Sequence, residues 1–416
     1  MDTRVQVYVD LDGSPVPVGR LWTRTRRGRE TASFEYDRGW LARPDHFALE
    51  PALPPGPGPF QTPQGRALFG ALGDSAPDRW GRVLMRRAER RRAEQAGETP
   101  RTLREIDYLL MVNDVTRQGA LRFATDPNGP FLAPGDTGSI PPLLELPRLL
   151  DAADHVATGD DGDEDLRLLL APGSSLGGAR PKASVRDRDG HLAIAKFPHH
   201  GDEIDVIRWE AVALTLAERA GIRVPGHRLE IVSGRPVLLL RRFDRAADAR
   251  IPFLSAMSML GAGDNEEHSY LEFVDVLRQH GAAPVEDMHQ LWRRIVFSIL
   301  VSNTDDHLRN HGFLYAGSAG WRLSPAYDLN PVPTDVAPRI LSTAITEDDP
   351  TACLDNAMAV APYFELSDKE AHTIVAEVGE AVRHWRRTAS KLGISESDIE
   401  RLASAFEHRD LAQAAG

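Results

Sequence analysis

An apolar helical run ends at Val301 and gives way at once to a polar loop, Ser302-Asn-Thr-Asp-Asp-His-Leu-Arg-Asn310. No other feature constrains this chain as much. A buried helix needs a stop and one or two capping groups; it does not need Asp305, Asp306, His307 and Asn310 in near succession. A short strand, Gly312 to Tyr315, follows the loop; Gly317-Ser-Ala-Gly320 turns it into a second strand, Trp321 to Ser324, and Ala326-Tyr-Asp-Leu-Asn-Pro331 comes next. Packing requires none of the polar loop, so it reads as a site.

Its spacing points to a chemistry. Asp305 and Asn310 stand as D-x-x-x-x-N, and Asp328 arrives after the hairpin. Phosphoryl transfer needs one carboxylate to accept or orient the attacking hydroxyl, and an amide oxygen with a second carboxylate to hold Mg²⁺ on the β- and γ-phosphates. Protein kinases use an Asp, an Asn five residues later and an Asp beyond the next hairpin. The order here is the same. The structural alternative is that Asp305 and Asn310 only cap turns between a helix and a strand.

Lysine usage adds a second cluster. Of 49 basic residues only four are lysine, Lys182, Lys196, Lys369 and Lys391, and two of them lie close together. In a chain that otherwise uses arginine, a retained lysine suggests a site wanting a compact point charge. Lys182 ends a Gly-containing loop, Ser174-Ser-Leu-Gly-Gly-Ala-Arg-Pro-Lys182, and Lys196 ends the second of two strands, Ala183 to Arg186 and His191 to Phe197, turned at Asp187-Arg-Asp-Gly190. Glycines let backbone N–H groups approach phosphate, and a strand lysine can neutralise it. Glu210, in an amphipathic helix over Ile207 to Ala220, is the carboxylate expected to orient Lys196. A hairpin over Ser233-Gly234 then ends in Arg241-Arg-Phe-Asp-Arg245, which either offers backbone groups to an adenine edge or holds an Arg242–Asp244 ion pair.

The rest of the chain supplies the frame. Its first ~50 residues alternate as strands do, and Pro51 to Pro63 reads as a Pro/Gly-rich connector. Six arginines between Arg82 and Arg92 form a solvated helix face or meet phosphate or an acidic partner. Thr102 with Glu105 spells a capping box. The acidic stretch Ala157 to Asp165 reads as a linker and the main boundary. Helices are expected at Ser269 to His280, Val285 to Ser302, Asp368 to Leu392 and Ser395 to His408. A single cysteine, Cys353, excludes a disulfide framework. No apolar run approaches the ~20 residues of a membrane span, so no membrane partner is expected and the cytoplasm is the expected compartment. A net charge of −12 argues against a surface wholly coated by nucleic acid, while leaving room for local basic patches.

Taken together, these stretches resemble the HipA-like serine/threonine kinases, toxins of bacterial type II toxin–antitoxin pairs. The resemblance runs through Gly70-Ala-Leu-Gly-Asp-Ser-Ala-Pro-Asp-Arg-Trp-Gly81, Gly119-Ala-Leu-Arg-Phe123, Ser175 to Lys182, Lys196-Phe-Pro198, Arg242-Phe-Asp-Arg245, Asn303 to Asn310 and Tyr327-Asp-Leu329. It implies an α/β (α+β), two-lobed protein-kinase-like fold. The amino-terminal β-rich accessory subdomain would span 1–125, the lobe with the Gly-rich loop 126–245, and the helical carboxy-terminal lobe 246–416. The cofactors implied are ATP and Mg²⁺. Asp305 is implied as catalytic base, Lys196 as the phosphate-neutralising lysine, and Asn310 and Asp328 as metal ligands. Gly177, Gly178, Ala179, Arg180, Lys182, Arg241, Arg242, Phe243 and His307 are implied in nucleotide binding. Ser175 falls at an autophosphorylated, autoinhibitory position, with Ser174 beside it. The partners implied are a helix-turn-helix antitoxin, through which DNA is reached, and an aminoacyl-tRNA synthetase as substrate. Two departures stand out: Asp306 where a glycine is common, a charge expected to perturb the base, and Arg241 where a nucleotide-binding glutamate is often found.

Two other readings compete. A metallohydrolase would use Asp305, Asp306, His307 and His311, although the H-E-x-x-H glutamate is missing and His311 precedes a strand glycine. A non-catalytic subunit would keep the fold and only assemble with a DNA-bound antitoxin, which the intact Lys196, Asp305, Asn310 and Asp328 argue against.

Overall fold

The computed structural model describes residues 3–133, 140–173, 178–247, 249–264 and 266–416. It resolves into two compact units, Met1–Gly201 with Ile231–Leu254, and Asp202–Glu230 with Ser255–Gly416. The division is not a single cut, because the chain leaves the first unit at Asp202, contributes a helix to the second, and returns at Ile231.

In the first unit, alternation makes an antiparallel sheet of Thr3–Leu11, Ser14–Arg26, Arg29–Tyr36, Pro59–Gln61 and Leu121–Ala124. Val5, Val7, Val9, Leu21 and Phe34 fill its inner face and are almost wholly buried. A second set of antiparallel strands, Lys182–Arg186, Leu192–Lys196 and Arg235–Arg241, packs Val185, Ala195 and Leu239 against Leu149, Leu150 and Val156 of helix Leu146–Thr158. The turn at Asp187–Gly190 closes as its sequence requires, with Gly190 N–H donating to the Asp187 carbonyl at 2.9 Å.

The arginine-dense helix Arg79–Ala96 does meet acidic partners, and they belong to its own unit. Arg82 forms a two-pronged pair with Glu105 at 2.6 Å. Arg87 pairs with Asp161, and Arg91 donates to the Asp161 carbonyl at 2.6 Å. Ala157 to Asp165 is therefore no linker: it ends one helix at left-handed Gly159, opens the next, Asp163–Gly173, and docks on the arginines. The capping box also moves. The helix begins at Glu105 with Arg104 as N-cap, and Asp107, not Glu105, reaches back to the Arg104 N–H at 2.9 Å.

The second unit is built on helix Pro284–Val301, whose Leu291, Trp292, Ile295, Val296, Phe297, Ile299 and Leu300 show no exposed surface. Hydrophobic sealing all round is what a central helix needs. Helix Val206–Arg219 belongs here because Trp209 sits 6.0 Å from Phe406, which stacks on Trp385 at 4.4 Å. The expected single helix from Asp368 to Leu392 is broken into Asp368–Val382 and Trp385–Lys391, and the second piece carries Trp385 onto that stack. Ser395 to His408 likewise divides into Glu396–Arg401 and Ala403–Phe406. Among the described residues no helix is long and apolar enough to cross a membrane.

Candidate active site

In the second unit the central helix stops at Ser302, which turns left-handed (φ 51°) and anchors its hydroxyl on the Ala405 carbonyl at 2.8 Å. Asn303 then bridges two segments. Its Nδ2 donates to Ser298 Oγ at 3.3 Å, and its Oδ1 accepts the Asn330 N–H at 3.0 Å, tying the Tyr327-Asp-Leu329 stretch to the loop.

Asp306 is sunk into the unit. Its Oδ1 accepts the Ser342 N–H at 2.9 Å, its Oδ2 accepts the Tyr270 hydroxyl, and its carbonyl accepts the Thr343 hydroxyl at 2.8 Å. Burial pushes its carboxyl up to about 7, against the pull of the Tyr270 hydrogen bond. The expectation that Asp306 perturbs the base is corrected: its charge is turned inward, and the groups acting on Asp305 are others.

With Asp306 anchored, Asp305 points outward, its side chain 74% exposed. Its carboxyl is held above the ordinary value, first by desolvation and then by the facing charge of Asp328, with His307, Nε2 4.0 Å away, pulling the other way. Asn310 sits on a 3₁₀ turn, Leu308–Asn310, and its Nδ2 donates to the Asp305 carbonyl at 2.7 Å. A carbonyl accepts only from the amide nitrogen, so the amide oxygen is turned the other way. Asp328 follows the hairpin Gly312–Tyr315 and Trp321–Leu323 in a left-handed conformation (φ 58°), and the neighbouring Tyr327 hydroxyl donates to the Arg309 carbonyl at 2.8 Å. Asp305, His307, Asn310 and Asp328 are thus gathered in one place. Two facing carboxylates and an outward amide oxygen are hard donors suited to a divalent cation.

His311 does not join them. It is buried against Tyr270 and Phe273, with Nε2 3.4 Å from the Tyr270 hydroxyl, and desolvation drives its pKa down to about 3. His307 is half-exposed beside Asp305. The two histidines face different surroundings, which removes the shared face a metallohydrolase would need.

The first unit holds the cationic set. Lys182 and Lys196 are direct cross-strand partners, and both are buried. Their register places two ammonium-bearing side chains side by side on one face of the sheet. Gly178 (φ 83°) sends its N–H to Asp78 Oδ2 at 2.7 Å and accepts the Trp80 N–H at 3.2 Å, while Trp80 Nε1 donates to the Lys182 carbonyl at 2.9 Å. A Cβ on Gly178 would lie 2.5 Å from Lys182 Nζ and would push the end of that side chain aside, and the positive φ by itself favours glycine here. The Gly73 to Gly81 stretch anchors the far end of the Gly-rich loop, a role its sequence alone does not announce. Ala179 is exposed and Arg180 half-buried; Ser174, Ser175 and Gly177 lie outside the described residues.

At the Arg241-Arg-Phe-Asp-Arg245 strand end the ion pair is what the structure contains. Arg242 Nε reaches Asp244 Oδ1 at 2.8 Å, and its other nitrogens reach the carbonyls of Thr116 and Arg117. Asp244 also accepts the Gly119 N–H at 2.8 Å. Burial would raise this carboxyl, yet Arg242 and Arg245 hold it well below the usual carboxylate range. The Arg242 side chain is spent on this network, so any nucleotide contact at this position would come from the backbone, as the strand-end reading has it. Arg241 is exposed 3.9 Å from Asp189, and Phe243 is half-buried, its ring 6.3 Å from that of Phe253.

Sequence reasoning missed Tyr270, Ser342 and Thr343, the partners that fix Asp306, because their nearest separation from it is 36 residues and no spacing rule links them. The buried carboxyl yields a stability prediction. A carboxyl raised to about 7 in the fold binds its proton more tightly there than in the unfolded chain, so its contribution falls as pH rises from about 4 to about 7, by on the order of 4 kcal/mol. Asp306→Asn should flatten that decline. Urea unfolding at pH 5 and pH 8 checks it: an unchanged difference between the two would contradict the burial assigned to Asp306.

Comparison with known proteins fits this geometry. Residues 174–404 match the HipA-like C-terminal domain and residues 8–106 the HipA N-terminal domain. "Putative kinase Y4mE" of Sinorhizobium fredii is 27% identical over 345 residues, covering 74% of this chain and 73% of that protein. "Putative kinase Y4dM" of the same organism is 29% identical over 206 residues, 42% of this chain and 50% of its own length. A chain from the Shewanella oneidensis MR-1 toxin–antitoxin complex of HipA, HipB and operator DNA superposes with a TM-score of 0.65 at 15% identity, covering 99% of this chain and 96% of that one. At that identity the likeness shows the fold, a mixed α/β architecture.

Proposed function

This chain belongs to the HipA-like family, and we propose that it is an ATP- and Mg²⁺-dependent serine/threonine protein kinase of that type. The observation that carries the reading is the gathering of the three residues at one end of the unit: Asn310 Nδ2 donates to the Asp305 carbonyl at 2.7 Å, and Asp328 follows the intervening hairpin near enough for its charge to act on the Asp305 carboxyl. A fold gains nothing in stability from such a pair of carboxylates; a phosphotransfer centre uses both members. Asp305 is the outward carboxylate that accepts the proton of the acceptor hydroxyl. Asn310 holds the Asp305 backbone in place through its amide nitrogen and, with Asp328, presents oxygen to Mg²⁺. The ion, when bound, neutralises charge on the nucleotide's phosphates and leaving group. In the first unit Lys182 and Lys196 offer paired positive charge to phosphate, the electrostatic stabilisation on which such reactions depend.

The kinase names of the Sinorhizobium relatives support this assignment, and the HipB-bound state of the Shewanella neighbour supports a helix-turn-helix antitoxin as partner. An aminoacyl-tRNA synthetase as substrate, autoinhibition by phosphate on Ser175 and a cytoplasmic setting complete the proposal. A phosphoserine adds about −1.5 to −2 charge beside a loop that holds an anionic nucleotide, so the two compete.

Labelled ATP added to a lysate tests the reading. Wild-type protein should place γ-phosphate on serine or threonine of a small number of proteins, and Asp305→Ala on none. Equal labelling by both would overturn it.

A further inference from the structure

The amino-terminal sheet carries a projection that phosphoryl transfer does not use. Strands Ser14–Arg26 and Arg29–Tyr36 pair all the way to Arg26↔Arg29. Their described neighbours stop short of that end: pairing with the first strand begins at Thr3↔Thr23, and the edge strand Pro59–Gln61 extends only to Ser33. Among the described residues, 24–31 pair in the sheet only with each other, as a two-stranded ribbon turned through left-handed Arg27 (φ 50°) and Gly28 (φ 78°).

This ribbon concentrates charge of the sign opposite to the chain's. Arg24, Arg26, Arg27 and Arg29 are exposed along eight residues of a protein with a net charge of −12. Arg26 and Arg29 are direct cross-strand partners, a like-charge placement that costs stability. The one acid in the segment, Glu30, accepts the Glu105 N–H at 3.0 Å and so is turned toward the start of helix Glu105–Met111. Behind the tip, Arg4 and Arg20 lie over the Trp22 ring at 5.9 and 5.6 Å, where Arg20 is balanced by Glu35 at 3.5 Å and Arg4 continues the cationic face.

We propose that this arginine-tipped ribbon docks directly on duplex DNA, entering the major groove with its guanidinium groups on the bordering phosphates. The shape selects the partner. The major groove of B-form DNA admits a two-stranded ribbon, whereas the corresponding groove of A-form RNA is deep, narrow and closed to side chains. A membrane surface would call for exposed apolar residues beside the cations; residues 24–31 contain none, and the Trp22 ring behind them is covered by Arg4 and Arg20. Planar guanidinium forks suit phosphate oxygens.

The test uses the purified full-length chain with labelled duplex DNA, duplex RNA of the same sequence, and phosphatidylserine vesicles across a salt series. Wild type should bind the DNA at about 50 mM salt, with affinity falling steeply as salt rises. The triple variant Arg26→Ala, Arg27→Ala, Arg29→Ala should bind at least ~10-fold more weakly, with a log–log salt slope shallower by about 2.7, the loss of three phosphate contacts. Its circular dichroism and phosphate transfer should be unchanged, since these residues are exposed and outside the catalytic set. Absence of DNA binding by wild type, an unchanged slope in the variant, or equal binding of RNA or vesicles through the same arginines would each overturn the proposal.

Discussion

Asp305→Asn should slow phosphate transfer by roughly 10²–10⁴-fold, the usual worth of a general base, which corresponds to about 2.7–5.5 kcal/mol in barrier height. Nucleotide binding should stay close to wild type, because the asparagine keeps the size of the side chain, and the Asn310 hydrogen bond goes to the residue-305 carbonyl, which the substitution leaves in place. Removing the charge also relieves the repulsion with Asp328, so a modest gain in nucleotide affinity is the expected side effect. Rapid-quench transfer and equilibrium binding separate the two quantities. A variant that transfers phosphate at the wild-type rate would remove Asp305 from the chemistry.

The second large effect belongs to the metal ligands and has a sign that depends on the metal. Asp328→Ala and Asn310→Ala each delete a hard oxygen donor. Loss of a group that merely supports a ligand already costs 10–100-fold, so affinity for MgATP should fall by at least that range, about 10–100-fold. Without Mg²⁺ the Asp328 variant should bind ATP no worse than wild type, and better if anything, because a carboxylate facing the phosphates is gone. Calorimetry with and without the metal reads both. Equal weakening in the two conditions would mean that Asp328 contributes packing and not coordination.

The parts of this site that could be read from the sequence are those whose partners are near in the chain. The Asp305–Asn310 loop and the Gly317–Gly320 turn are short-range features, and the observed hydrogen bond of Asn310 to residue 305 and strands Gly312–Tyr315 and Trp321–Leu323 follow that reading. Lys182 and Lys196 were conspicuous by composition, but their direct pairing depends on strand register, which the turn at Asp187–Gly190 fixes. Long-range partners were illegible. The arginines of helix Arg79–Ala96 looked available until Asp161, 70 residues beyond Arg91, proved to be packed against them. Asp306 looked like a second charge in the loop, since nothing in its neighbourhood announces Tyr270 and Ser342 on the inside. The helix break before Trp385 had no proline or glycine to mark it; the demand came from the Phe406 stack.

Whether Asp305 and Asp328 act together as one centre is tested most directly by the titration of Asp305 followed by carbon-13 NMR. In wild type its carboxyl should titrate above the ordinary carboxylate value, as partial desolvation in the loop and the charge of Asp328 require against the pull of His307. Asp328→Asn, or saturation of wild type with Mg²⁺ and a non-hydrolysable ATP analogue, should bring it down toward that value, because either change cancels a facing negative charge. An Asp305 titration that ignores both would contradict the account.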